Sequence, residues 1–187
     1  VEAYRFFPHN TKGEGLFVAI LRKHESHSLY QGPFNQKQRN KNKKLPSLLI
    51  KDNSNYRKYI NDPDYFDFVR DENRILAIPK ENSANILSSK EKLKVVSMGI
   101  GLGEIKGKDF IPSHSLAMSS KLNMEAFVTR ELIYDEAIAY LRREAINIPD
   151  VPKGFVLLTY KNKPLGFVKN IGNRANNLYP NEWRIRT

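Results

Sequence analysis

The sequence predicts a mixed α+β fold. Paired runs of β-forming residues flank turn residues at three places, and one stretch near residue 140 carries a helical apolar stripe. Hydrophobic residues make up 40% of the chain and aromatics 11%, enough to build a core. At 187 residues there is room for one domain or two small ones. No apolar run approaches the ~20 residues of a membrane span. Val1-Glu2-Ala3-Tyr4-Arg5 leads into a strand pattern and not into the apolar segment of a signal peptide. The absence of a start Met suggests a piece excised from a longer protein.

Glu2–Phe7 and Leu16–Arg22 are strand-like, and the Pro, Asn and Gly residues between them supply a turn, so the first element is a β-hairpin. Gln31–Lys44 has no apolar period and reads as a basic linker. Pro46–Ile60 fits a strand followed by a short helix, although its period is ambiguous. Phe66–Arg70 and Ile75–Pro79 flank the polar turn Asp71–Arg74, giving a second hairpin. Lys94–Ile105 alternates, with Val96, Met98, Ile100 and Leu102 on one face and Ser97, Gly99, Gly101 and Gly103 on the other. The glycines lack the third member of a dinucleotide-binding loop, and no helix pattern follows directly. The expectation is a strand whose bare face another backbone approaches closely.

Pro112–Met118 reads as a short helix capped by Ser113. Tyr134–Glu144 is the clearest helix. Its Tyr134, Ala137, Ile138, Leu141 and Ala145 make one stripe, Asp135 and Glu136 occupy the first turn, and Pro149 and Pro152 follow. Gly154–Tyr160 and Leu165–Lys169 flank Lys161-Asn-Lys-Pro164, the strongest hairpin signal. Ile171–Arg186 mixes Arg, Asn and aromatics with turn residues. That suits a loop meeting phosphates and bases, or a capping loop in which Leu178, Tyr179 and Trp183 close the core.

The chain carries 31 Lys and Arg against 20 Asp and Glu, a net charge of +11. The excess is local. Residues 26–51 hold Lys37, Arg39, Lys41, Lys43, Lys44 and Lys51 and no acid, while residues 151–187 hold seven cations against Glu182 alone. Two concentrated basic segments around a balanced middle are suited to a polyanion, and nucleic acid is the expected partner. There is no cysteine, which excludes disulfides, thiolate metal sites and Cys nucleophiles within these residues and is compatible with a reducing, cytoplasmic setting. His9, His24, His27 and His114 match no ligand spacing, so no metal site is predicted. A hydrolase built on Asp64, Asp67 or His114 would need a nucleophile, base and orienter that no spacing assembles.

Tyr4–Lys23, with Arg-x-x-Pro-His-x-x-x-Gly-Glu-Gly-x-Phe from Arg5 to Phe17, resembles the last hairpin of the catalytic domain in the NOL/NOP/Sun family of RNA cytosine-5 methyltransferases. Gly154–Trp183 resembles the closing PUA-type RNA-binding domain of bacterial members, and Lys106–Ala117 resembles their middle region. The resemblance implies a parent enzyme that transfers a methyl from S-adenosylmethionine to carbon 5 of a cytosine in rRNA or tRNA. Such chemistry uses one Cys thiolate to activate the ring and a second to release the product. With no Cys, these residues supply neither, and no catalytic residue is carried over. No cofactor is expected on this chain itself.

The domains implied are a remnant hairpin of the methyltransferase sheet at 1–24, a basic linker at 25–45, a small α/β module at 46–106 and a PUA-like β-barrel with helices at 107–187. The expected RNA-binding residues are Lys161, Lys163, Lys169, Asn170, Arg174, Asn177, Arg184 and Arg186, with Lys41, Lys43 and Lys44 on the linker. Arg174 is expected to matter most and Lys169 next. Asn170 and Asn177 either read bases or satisfy their own turn. The partners implied are RNA and the protein's own N-terminal methyltransferase domain, with no membrane. The alternative is a free-standing RNA- or ribosome-binding adaptor.

Overall fold

The computed structural model describes residues 2–7, 15–20, 48–90 and 93–186. The chain divides into two units, residues 1–42 and 43–187. In the first, β1 (Glu2–Phe6) pairs antiparallel with β2 (Leu16–Ile20), from Glu2 opposite Ile20 to Phe6 opposite Leu16. This is the hairpin read from the sequence. Tyr4, Phe6, Phe7, Phe17 and Val18 are exposed on it, and the Arg5 guanidinium lies over the rings of Phe7 and Phe17. The basic linker, with Lys41, Lys43 and Lys44, lies outside the described residues.

The second unit contains, in order, α1 (Ser54–Arg57), β3 (Phe66–Asp71), β4 (Arg74–Pro79), α2 (Lys80–Lys90), β5 (Ile100–Lys106), β6 (Asp109–Pro112), α3 (His114–Ala117), β7 (Val128–Glu131), α4 (Tyr134–Leu141), β8 (Gly154–Tyr160), β9 (Lys163–Asn170) and β10 (Ala175–Asn177). One sheet runs β3-β4-β5-β6, all antiparallel, and the other runs β10-β9-β8-β7. In the second sheet only β7 is parallel to its neighbour β8, because α4 and the segment after it form the crossover that parallel pairing needs. Lys161 and Asn162, both with positive φ (49° and 58°), make the two-residue turn between β8 and β9, whose twist matches the flanking strands.

Alternation along the strands builds three packed layers of side chains. Phe68, Ile75, Ala77 and Leu102 from the first sheet meet Leu157 and Phe167 from the second, with Leu116 of α3 among them. The opposite face of the first sheet sends Val69 and Ile78 to Leu87 of α2. The opposite face of the second sends Val156, Leu158 and Val168 to Ala137 and Tyr140 of α4. Each sheet is therefore covered on one side by its own helix, and the sheets cover each other.

The second and third hairpins, the Ser113 cap and the helix from Tyr134 form as the sequence predicts. The Ser113 hydroxyl accepts from the Leu116 amide at 3.2 Å. Four features differ from the expectation. The alternating run becomes a strand only from Ile100, since a positive φ at Gly99 (60°) turns the chain there. Its bare face is nevertheless approached closely: a Cβ on Gly103 would fall on the Ile111 carbonyl and 2.6 Å from the Phe110 ring. The helix α2 is absent from the sequence reading, for its buried residues are only Ser83 and Leu87. Where a β-barrel is expected, the described strands form a four-stranded sheet with edges at β7 and at the three-residue β10. The first sheet also runs on past residue 106, because β5 and β6 form a hairpin around Gly107.

Candidate nucleic-acid interface

The basic hairpin and tail are held by bonds from a buried frame. Tyr140 is fully buried in α4, its hydroxyl donates to the Phe167 carbonyl at 3.2 Å, and burial pushes its phenol pKa up, so it stays neutral. The tail is sewn beside it. The Leu178 amide donates to the Phe167 carbonyl at 3.1 Å, the Ile185 amide donates to the Leu141 carbonyl at 3.1 Å, and Arg143 donates to the Tyr179 carbonyl. Leu178 and Tyr179 pack against the two cores, as the capping reading requires. Trp183 does not join them: it is 61% exposed.

On this frame Lys161 lies in the β8–β9 turn and Lys163 opens β9, Arg174 sits in the β9–β10 loop, and Arg184 and Arg186 follow the last turn. All five are exposed, and none makes an ion pair among the described residues. The Lys161 ammonium rests 5.4 Å from the centre of the Tyr160 ring. Arg184 and Arg186 line a concavity together with Arg142, Glu144 and Ile185. Exposed, unpaired cations on a braced turn and tail retain their hydration and charge for a phosphate backbone.

The other candidates on this face are engaged within the fold. Asn170 is 3% exposed. Its amide donates to the carbonyls of Val151 (2.8 Å) and Ile148 (3.2 Å), and its carbonyl oxygen accepts from the Gly172 amide at 2.9 Å. Asn177 donates to the Tyr140 carbonyl and accepts from the Tyr179 amide, both at 2.9 Å. Both side chains satisfy the turn and frame. The Lys169 ammonium pairs with Asp109 at 2.8 Å and lies 5.3 Å from the Phe155 ring centre, tying β9 to β6. A cation already facing a carboxylate attracts phosphate less.

The carboxylates considered for hydrolysis are likewise occupied. Asp67 accepts from the Ser83 hydroxyl at 2.5 Å, while Asp64 pairs with Arg57 at 2.6 Å, which holds its carboxyl below the usual range. His114 sits edge-on to Tyr179 and Trp183, and burial lowers its pKa. Among the described residues no group of three His, Cys, Asp or Glu is arranged to hold a metal ion, and no helix is long and apolar enough to cross a membrane.

Residues 57–119 match the family model of the RsmF rRNA methyltransferase first C-terminal domain, and residues 127–185 match that of the methyltransferase RsmF PUA domain. The two matches fall on the two sheets, with their divide between residues 119 and 127. The chain is also 34% identical over 94 residues to the ribosomal RNA small subunit methyltransferase F of Escherichia coli strains K12, SE11 and O8 (IAI1). That alignment covers 49% of this chain and 19% of each relative, so the chain spans about a fifth of the relatives' length. With both domain types present in order within one compact unit, the chain belongs to the RsmF-like family and corresponds to its C-terminal region.

Proposed function

We propose that this chain binds RNA and positions it for a catalytic domain that lies outside these residues. In that reading the whole protein transfers a methyl from S-adenosylmethionine to carbon 5 of a cytosine in rRNA, and this region supplies grip and orientation. The observation that carries it is the set of five exposed cations, without ion pairs among the described residues, on a turn, a loop and a tail braced by Tyr140 and Asn177. The two matched domains and the similarity to a ribosomal RNA methyltransferase support the same partner.

The test is a fluorescence titration of a labelled, structured rRNA fragment at several salt concentrations. Each phosphate contact adds about 0.7–0.9 to the log–log salt slope, so four contacts give a slope near −3. Arg174→Ala reduces the slope by about one contact, and Lys169→Ala less, because Asp109 already faces its ammonium. If neither Arg174→Ala nor Lys163→Ala weakens binding while deleting residues 37–44 abolishes it, the linker is the RNA-binding element and the assignment to the last domain is wrong. Calorimetric titration of S-adenosylmethionine into this chain should give no micromolar binding, and micromolar binding would overturn the reading.

A further inference from the structure

We propose that the concavity between α3 and the C-terminal tail receives one unpaired RNA base, stacked on Trp183, while Arg184 and Arg186 take the flanking phosphates. The inference rests on the RNA-binding reading and adds to it a place where paired and unpaired RNA are told apart.

The concavity is lined mainly by Gly99, His114, Ser115, Met118, Pro180 and Trp183. Two of its large apolar members stay in water, Trp183 at 61% and Met118 at 49% exposure, while Ile100 is partly buried. An indole and a thioether side by side on the surface form an apolar platform that a flat, polarisable ring can cover. The platform is braced from two sides. Trp183 ends a single helical turn, with its amide donating to the Pro180 carbonyl at 3.2 Å, and His114 meets it edge-on with ring centres 5.2 Å apart. His114 adds no charge at neutral pH, because its Nδ1 is buried without a partner among the described residues and desolvation favours the neutral ring. At Gly99 no side chain projects into the space, and a Cβ there would meet the Ala77 carbonyl. The exposed Ser115 supplies a hydroxyl at the rim.

The charge lies next door. Arg184 follows Trp183 directly, so the two Cα atoms are about 3.8 Å apart, within the reach of a single nucleotide from base to phosphate. Arg184 and Arg186 are exposed and unpaired among the described residues. An apolar peptide segment would match the platform but not these guanidiniums; a base with its phosphates matches both. A duplex keeps its bases stacked inside, so only a loop, bulge or single strand presents a ring to the indole.

The chain has one tryptophan, so tryptophan emission, excited selectively over its nine tyrosines, reports on this position alone. The experiment titrates the chain with a labelled single-stranded oligoribonucleotide and with a duplex of equal length, reading label anisotropy and tryptophan emission together. The expected result is saturable quenching by the single strand and not by the duplex. Trp183→Ala should weaken single-strand binding about ten-fold and duplex binding less than two-fold, with Trp183→Phe retaining most of the affinity. Salt-dependent binding of both RNAs without quenching, or an equal loss on both with Trp183→Ala, overturns the base site and leaves the RNA-binding reading standing. Binding of neither RNA overturns both. Should Trp183→Ala fold poorly, quenching of the unmodified chain by single strand against duplex decides.

Discussion

The two four-stranded sheets share a core and a common plan, each with one helix on its outer face, but they handle their cations differently. Around the first sheet Arg57 faces Asp64, Lys121 faces Asp62, and Arg74 and Lys90 both close on Asp71, while Lys51, Lys58, Arg70, Lys80, Lys94, Lys106 and Lys108 have no ion pair among the described residues. On the second, Arg130 is clamped between Glu136 and Asp150, whereas Lys161, Lys163, Arg174, Arg184 and Arg186 have no such partner among the described residues. Cation counts alone do not separate the two regions. Pairing alone does not either; the local balance of charge does, since residues 151–187 hold seven cations against Glu182 alone, and a carboxylate within 3 Å of a cation cancels much of the field that a phosphate would feel.

The largest expected effect concerns what the sheets share. Phe167 from β9 packs in the same cluster as Phe68 from β3, and both are essentially fully buried. Phe167→Ala should cost about 3–5 kcal/mol, from lost transfer energy and the cavity left behind. Denaturant unfolding followed by circular dichroism and by fluorescence should then show one coincident transition at lower denaturant. Two separated transitions would mean that the sheets are independent and that their comparison is one of separate domains.

Next comes Asn170, where a residue type suited to reading RNA braces the fold instead. Asn170→Ala strands the Val151 and Ile148 carbonyls and the Gly172 amide, at a cost of about 2 kcal/mol and a fall in melting temperature of roughly 4–8 °C. RNA affinity of the folded variant should stay within two-fold. A large loss of affinity at unchanged melting temperature would return Asn170 to the interface.

A smaller effect probes the paired region. The hydrogen bond from Lys90, then that from Arg74, lowers the pKa of Asp71. A carboxyl with a lowered folded pKa contributes stability that is present at neutral pH and lost as pH falls through that lowered value. Asp71→Asn should therefore destabilise the chain by about 1–2 kcal/mol at pH 7, less than a fully buried pair because Arg74 remains half exposed. It should also flatten the acid limb of the stability profile. Melting temperatures from pH 7 to pH 3 for both proteins check this, and parallel curves would show that the cluster does not govern acid stability.

The smallest effect tests the comparison most directly. Lys163→Ala should lower RNA affinity a few-fold and shorten the salt slope, whereas Arg57→Ala, which removes a cation already facing Asp64, should leave both unchanged. Equal losses from the two variants would mean that pairing does not select the RNA-binding cations.

What the sequence determined by itself is what nearest neighbours along the chain decide. Strand alternation with turn residues specified the β3–β4 and β8–β9 hairpins, the 3.6-residue stripe specified α4, and Ser113 specified its own cap, because these periods and bonds close within a few residues. The glycine-faced strand was legible for the same reason, as was the basic character of the hairpin and tail. The tertiary structure decided the rest. Helix α2 shows no stripe because only Ser83 and Leu87, one turn apart, are buried against the sheet beneath, with Ile86 partly buried beside them. Asn170 became a brace through carbonyls some twenty residues earlier, Lys169 met an aspartate sixty residues away, and Leu178 and Tyr179 were packed while Trp183 was left in water. Composition records which side chains are available. Whether a cation or an aromatic is committed or free depends on distant partners, and only folding brings those within a few ångströms.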